Sequence, residues 1–91
     1  MAYKIFEKDP DAKLDYGLDW SAWLDGDTIT ASTWTVDPSG LTLSQGAYDA
    51  TTAAIWAEDG VVGRKYNLTN HITTAAGRQT ERTFSLLIKE Q

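Results

Sequence analysis

The hydrophobic pattern is clearest from Leu14 onward. Leu14, Tyr16, Leu18 and Trp20 share one parity, and Asp15, Gly17, Asp19 and Ser21 share the other. A period of two with one apolar face predicts a half-buried strand. Asp25-Gly26 then forms a turn signal, because both residues tolerate positive φ. Residues 27–36, DTITASTWTV, are rich in β-branched side chains and predict a second strand. Asp37-Pro38-Ser39-Gly40 has the residue order of a type I turn. Leu41 to Ser44 alternates again, and TTAAIWA over residues 51–57 predicts a further strand before Glu58-Asp59-Gly60. Near the end, Tyr66, Leu68, Asn70 and Ile72 share one face, as do Phe84, Leu86 and Ile88. Gly77 lies between these runs and supplies a turn position, so the two predict a long hairpin.

This amounts to six or seven short strands with turn signals every 8–12 residues and no convincing amphipathic helix, an all-β sandwich. Residues 1–13 stand apart. Lys and Asp are mixed around Asp9-Pro10, and Pro10 biases Asp9 toward extended backbone. They read as an N-terminal arm preceding a sandwich over residues 14–91, with Tyr3, Ile5 and Phe6 as side chains that dock on a neighbour. The run Gly63-Arg64-Lys65-Tyr66-Asn67-Leu68 places a tyrosine at the start of a long strand, with Leu68 two residues on. In immunoglobulin-like sandwiches a tyrosine there bonds backbone just upstream, and disulfide-bonded members carry Cys where Leu68 stands. The class expected is therefore a disulfide-free, immunoglobulin-like antiparallel β-sandwich with an extended N-terminal arm.

Composition narrows the function. A chain of 91 residues is one domain, and at this size about 60–65% of the unfolded chain's surface is buried. Four Trp, four Tyr and two Phe are then valuable core material. A net charge of −5 with scattered Lys and Arg argues against nucleic acid as partner. The absence of cysteine excludes disulfides, thiol catalysis and Cys-based zinc sites. No apolar run approaches a membrane span, and the opening residues lack the apolar centre of a signal peptide.

Candidate chemistry is sparse. The single histidine, His71, lies on the polar face of its strand and cannot build a multi-histidine site. No nucleophile elbow or phosphate loop is present. The reading is non-enzymatic, with no cofactor and no metal. Asp15, Asp19, Asp25 and Asp27 lack the spacing of a calcium loop, and each has a local reason to be acidic. Trp20 belongs to an apolar strand face. Trp23, Trp34 and Trp56 are open between core, protein interface and glycan platform. Trp23, just beyond the alternation, is the foremost candidate contact residue.

D-Y-x-x-D-W-S-x-W-L (Asp15 to Leu24), G-D-T-I (Gly26 to Ile29) and S-T-W-T-V (Ser32 to Val36) together resemble a family of small tailed-bacteriophage proteins. So do G-x-x-Y-x-L (Gly63 to Leu68) and H-I-T-T-A-A-G-R-Q-x-E-R-x-F (His71 to Phe84). The similarity covers residues 9–89, and such proteins are encoded in phage and prophage structural modules. The resemblance implies an immunoglobulin-like virion protein assembled in the bacterial host cytoplasm. Its expected partners are capsid or connector subunits in a symmetric multi-copy assembly. The expected role is a head decoration or cement protein, or a head–tail junction component. The alternative is a surface module that binds host glycans.

Overall fold

The computed structural model describes residues 4–37 and 39–89, with only the main chain for Lys4, Ile5 and Gln45. Seven strands form among the described residues: β1 (Lys4–Lys8), β2 (Leu14–Asp19), β3 (Ile29–Asp37), β4 (Leu41–Tyr48), β5 (Thr52–Asp59), β6 (Lys65–Thr74) and β7 (Gln79–Ile88). One sheet has the order β1-β7-β6-β3 and the other β2-β5-β4. Every pairing is antiparallel except β1 with β7, which run parallel with Lys4 opposite Phe84 and Lys8 opposite Ile88. The strands sort as in an immunoglobulin-like sandwich, with β1 beside the last strand instead of beside β2.

Alternation explains the core. On β6, Tyr66, Leu68, Asn70, Ile72 and Thr74 are buried and the intervening residues are not. Phe84, Leu86 and Ile88 of β7 meet Leu41, Ile55 and Ala57 from the other sheet, with Phe6, Tyr16, Trp34 and Val36 packed around them. Phe84 is the hub, lying edge-on to Phe6 and Trp34 at centroid distances of 5.5 and 5.8 Å. A second cluster holds Trp20, Leu24, Ile29, Ala53 and Ile72, where the small Ala53 leaves room for the indole. The tyrosine corner forms: the Val61 backbone N–H donates to the Tyr66 hydroxyl at 3.1 Å.

Two expectations change. Of the arm expected over residues 1–13, Lys4–Lys8 is a strand of the sheet, and the Phe6 ring packs 5.3 Å from Tyr16. Lys8 is fully buried, and its Nζ donates to the carbonyls of Asp9 (2.9 Å) and Asp59 (2.8 Å). It thereby ties β1 to the opposite sheet. The second change lies before Asp25-Gly26, where Ser21–Leu24 forms a single helical turn, α1. Its signal is the spacing of Trp20, Trp23 and Leu24, which are i, i+3 and i+4 neighbours on one helical face. Asp25 (φ 49) and Gly26 (φ 90) end the turn. They terminate a helix and do not join a hairpin, because β2 and β3 lie in different sheets.

Candidate functional site: a loop-built pole around Trp23

Three connections meet at one end of the sandwich: residues 20–28 with α1, residues 49–51, and residues 75–78 of the last hairpin. Backbone bonds tie them together. Trp20 N–H donates to Thr51 (2.8 Å), Ile29 N–H to Ala50 (2.9 Å) and Ala75 N–H to Thr28 (2.9 Å). Side chains complete the clamp. The Arg78 guanidinium donates to the Leu24 carbonyl at 2.7 Å and pairs with the Asp27 carboxylate at 3.2 Å. Asp27 also accepts from the backbone N–H groups of Thr28 (2.8 Å) and Ala76 (3.3 Å).

Trp23 sits inside this clamp, half-buried. Trp20 meets it edge-on at 5.9 Å, and the Arg78 guanidinium stacks 4.5 Å from its ring centroid. Arg82 stacks in the same way over Trp20 at 4.3 Å. Below, the Trp20 indole N–H donates to Asn70 Oδ1 (3.0 Å), and the Asn70 amide donates to Ser32 Oγ and the Thr33 carbonyl. The pole therefore presents an indole and a guanidinium on a rigid base. Trp and Arg are the residue types that dominate protein-contact energetics, and a pre-ordered surface loses less entropy on binding.

Three carboxylates here stay ionised below the usual range. Asp19 is lowered first by the Ser21 backbone N–H, Asp27 first by the Thr74 hydroxyl, and Asp49 first by the Thr51 backbone N–H. Their bonds organise the loops. Among the described residues, no group of three or more His, Asp or Glu side chains gathers as for a metal.

The other sequence candidates scatter. Tyr3 lies outside the described residues, and Ile5 is placed by main chain alone. Phe6 belongs to the core. Trp34 packs on Phe84 between the sheets, and Trp56 is half-buried on an outer face beneath Lys13, 5.9 Å from its centroid. His71 sits on the outer face between Glu81 (3.4 Å) and Gln79 (3.1 Å). Sequence reasoning missed Arg78 as the partner of Trp23. No local signal joins them, since the last hairpin brings them together.

The sequence matches the family described as podophage GP4 fiber-tail adaptor protein gp77 over residues 8–87. The chain belongs to this family. It is thus a bacteriophage structural protein, in keeping with the resemblance found in its sequence. The family's description names a fiber-tail adaptor, where the sequence reading placed the protein on the head or at the head–tail junction. No curated protein matches the sequence. Among solved structures, the chain is similar to the PKD domain from KIAA 1837 protein, with 20% identity and a TM-score of 0.60. The match covers 98% of this chain and 81% of that one. At that identity the likeness concerns the fold, an immunoglobulin-like sandwich.

Proposed function

We propose that the protein is a non-enzymatic adaptor that joins a fiber to a podophage tail through protein–protein contacts. The observation that carries this reading is the family match over residues 8–87, which spans the sandwich from the end of β1 nearly to the end of β7. The Trp23–Arg78 pole is one contact surface, and Tyr3 and Ile5 supply further contacts in the virion. Copies act together in a symmetric assembly, where repeated weak contacts add through effective concentration. A protein partner is favoured over a glycan because Trp23, Trp34 and Trp56 are each half-buried against protein groups. None stands open as a sugar-stacking plate.

The test is assembly of particles in the absence of this chain. Tails without fibers are expected, with fibers restored by adding the purified protein. Replacing Trp23 with Phe, which keeps a ring between Trp20 and Arg78, should lower that restoration, with a thermal melt showing that the variant folds. Fully fibered particles made without the chain would overturn the proposal.

A further inference from the structure

Among the cations whose side chains are described, all but two have partners within the chain. Lys8 is held by two carbonyls, Lys13 lies over Trp56, Arg78 and Arg82 lie over Trp23 and Trp20, and Lys89 pairs with Glu7. Arg64 and Lys65 are the exceptions. Both are exposed, and no hydrogen bond, ion pair or ring contact holds either side chain.

They directly follow an apolar pair. Val61 and Val62 are 54% and 52% exposed, the most open large hydrophobic side chains among the described residues. Nothing in the turn calls for valine, since turn positions favour Gly, Pro, Asn, Asp and Ser. The segment is nevertheless rigid. Arg64 N–H closes a turn on the Val61 carbonyl at 3.0 Å, with Gly63 at φ 85. Gly63 N–H donates to the Ile88 carbonyl, Ile88 N–H donates to the Arg64 carbonyl, and Val61 N–H donates to the Tyr66 hydroxyl. The tyrosine corner thus holds two valines and two unmatched cations in solvent, already ordered for binding. The corner opens β6 at Lys65, and the strand runs from there to Thr74 at the Trp23 pole. The two surfaces occupy opposite ends of the sandwich.

We infer that the Val61–Lys65 corner is a second docking surface, which seats in an apolar recess bordered by carboxylates on a neighbouring virion protein. This rests on the adaptor reading, and it gives the adaptor one contact at each end. Charge complementarity selects the partner: unmatched cations beside exposed valines call for an acidic, partly apolar face. A second copy fits less well. Of the carboxylates at its Trp23 pole, Asp19, Asp27 and Asp49 are committed to their own loops through Ser21, Thr28, Thr51 and Thr52, which leaves the exposed Asp25 without an apolar recess around it.

The experiment uses particles from a phage deleted for this chain, loaded with purified protein and read as copies bound per particle. Arg64→Glu with Lys65→Glu should lower loading at least tenfold, and Val61→Ser with Val62→Ser several-fold. Wild-type loading should weaken as salt rises, and Lys13→Glu on the outer face should load like wild type. Thermal melts confirm that each variant folds. Unchanged loading of both double variants overturns the corner and leaves the adaptor reading standing; failure of the wild type to load sinks both. Concentration-dependent self-association of the isolated protein, abolished by the same substitutions, would place a second copy at the corner and overturn the inferred partner.

Discussion

Trp20 and Asn70 meet in the interior through one hydrogen bond, indole N–H to amide oxygen, at 3.0 Å. Both residues are almost wholly buried. The Asn70 amide spends its N–H groups on Ser32 and Thr33, so it fastens β3, β6 and the start of α1 together. Replacing Asn70 with Ala leaves the indole N–H and the Thr33 carbonyl without this partner. The expected cost is about 2–4 kcal/mol, read as a lower urea midpoint with an unchanged slope.

Tyr66→Phe isolates the corner. The ring stays in place and only the bond from Val61 N–H is lost, so stability should fall by about 1 kcal/mol. Amide exchange at Val61 should accelerate while exchange in the middle of β6 barely changes. Equal acceleration throughout would mean that the hydroxyl does not act locally.

Two glycines separate backbone strain from crowding. Gly77 adopts φ 84 in open space, so Gly77→Ala should cost about 1–2 kcal/mol. Gly60 adopts φ 105, and an added Cβ would lie 2.8 Å from the Ile88 side chain. Gly60→Ala should therefore cost more, by a further 1–3 kcal/mol or so. Equal midpoints for the two variants would refute the crowding argument.

Acid should loosen the Trp23 pole. Asp19, Asp27 and Asp49 have folded pKa values below 3.8, so their contribution is complete above that pH. It disappears as pH falls through the folded values. Asp27→Asn and Asp49→Asn should each flatten the acid limb of a stability–pH curve.

Lys8 works in the opposite range. Burial lowers its pKa below 10.5 despite the carboxylates of Asp59, Asp9, Glu58 and Asp11 nearby. The unfolded chain therefore holds the proton more tightly than the native one, and stability rises with pH between the folded value and 10.5. Subtracting the curve of Lys8→Met from that of the wild type should leave this rise. A flat difference would show that the ammonium is not desolvated.

The parts of the fold legible in sequence were those whose cause is local. Alternation exposed β6 and β7, and Tyr66 after Gly63 marked the corner. The first strand was not legible. KIFEK offers Ile5 and Phe6 amid charges, and its pairing with β7 leaves no local trace. A buried Lys8 also runs against composition, and the carbonyls of its neighbour Asp9 and of the distant Asp59 explain it. The helical turn at Ser21–Leu24 is too short for periodicity to stand out beside the alternation that precedes it. Trp23 was singled out, but its setting needed Arg78 and Asp27 from other elements. The exposed valines gained meaning only once the bonds that hold them were visible.

The parallel seam between β1 and β7 also governs when the molecule is finished. A ribosome releases β1 long before its partner exists, because Lys4 faces Phe84 across that seam. Until then Phe6 lacks Phe84 beside it, and β1 has no strand to pair with. Closure is thus a late event that joins distant parts of the chain, the kind of contact that slows folding. For an assembly component this amounts to quality control: a chain broken off before β7 can neither close its sheet nor form the Ile88 bonds that set the Val61–Lys65 corner.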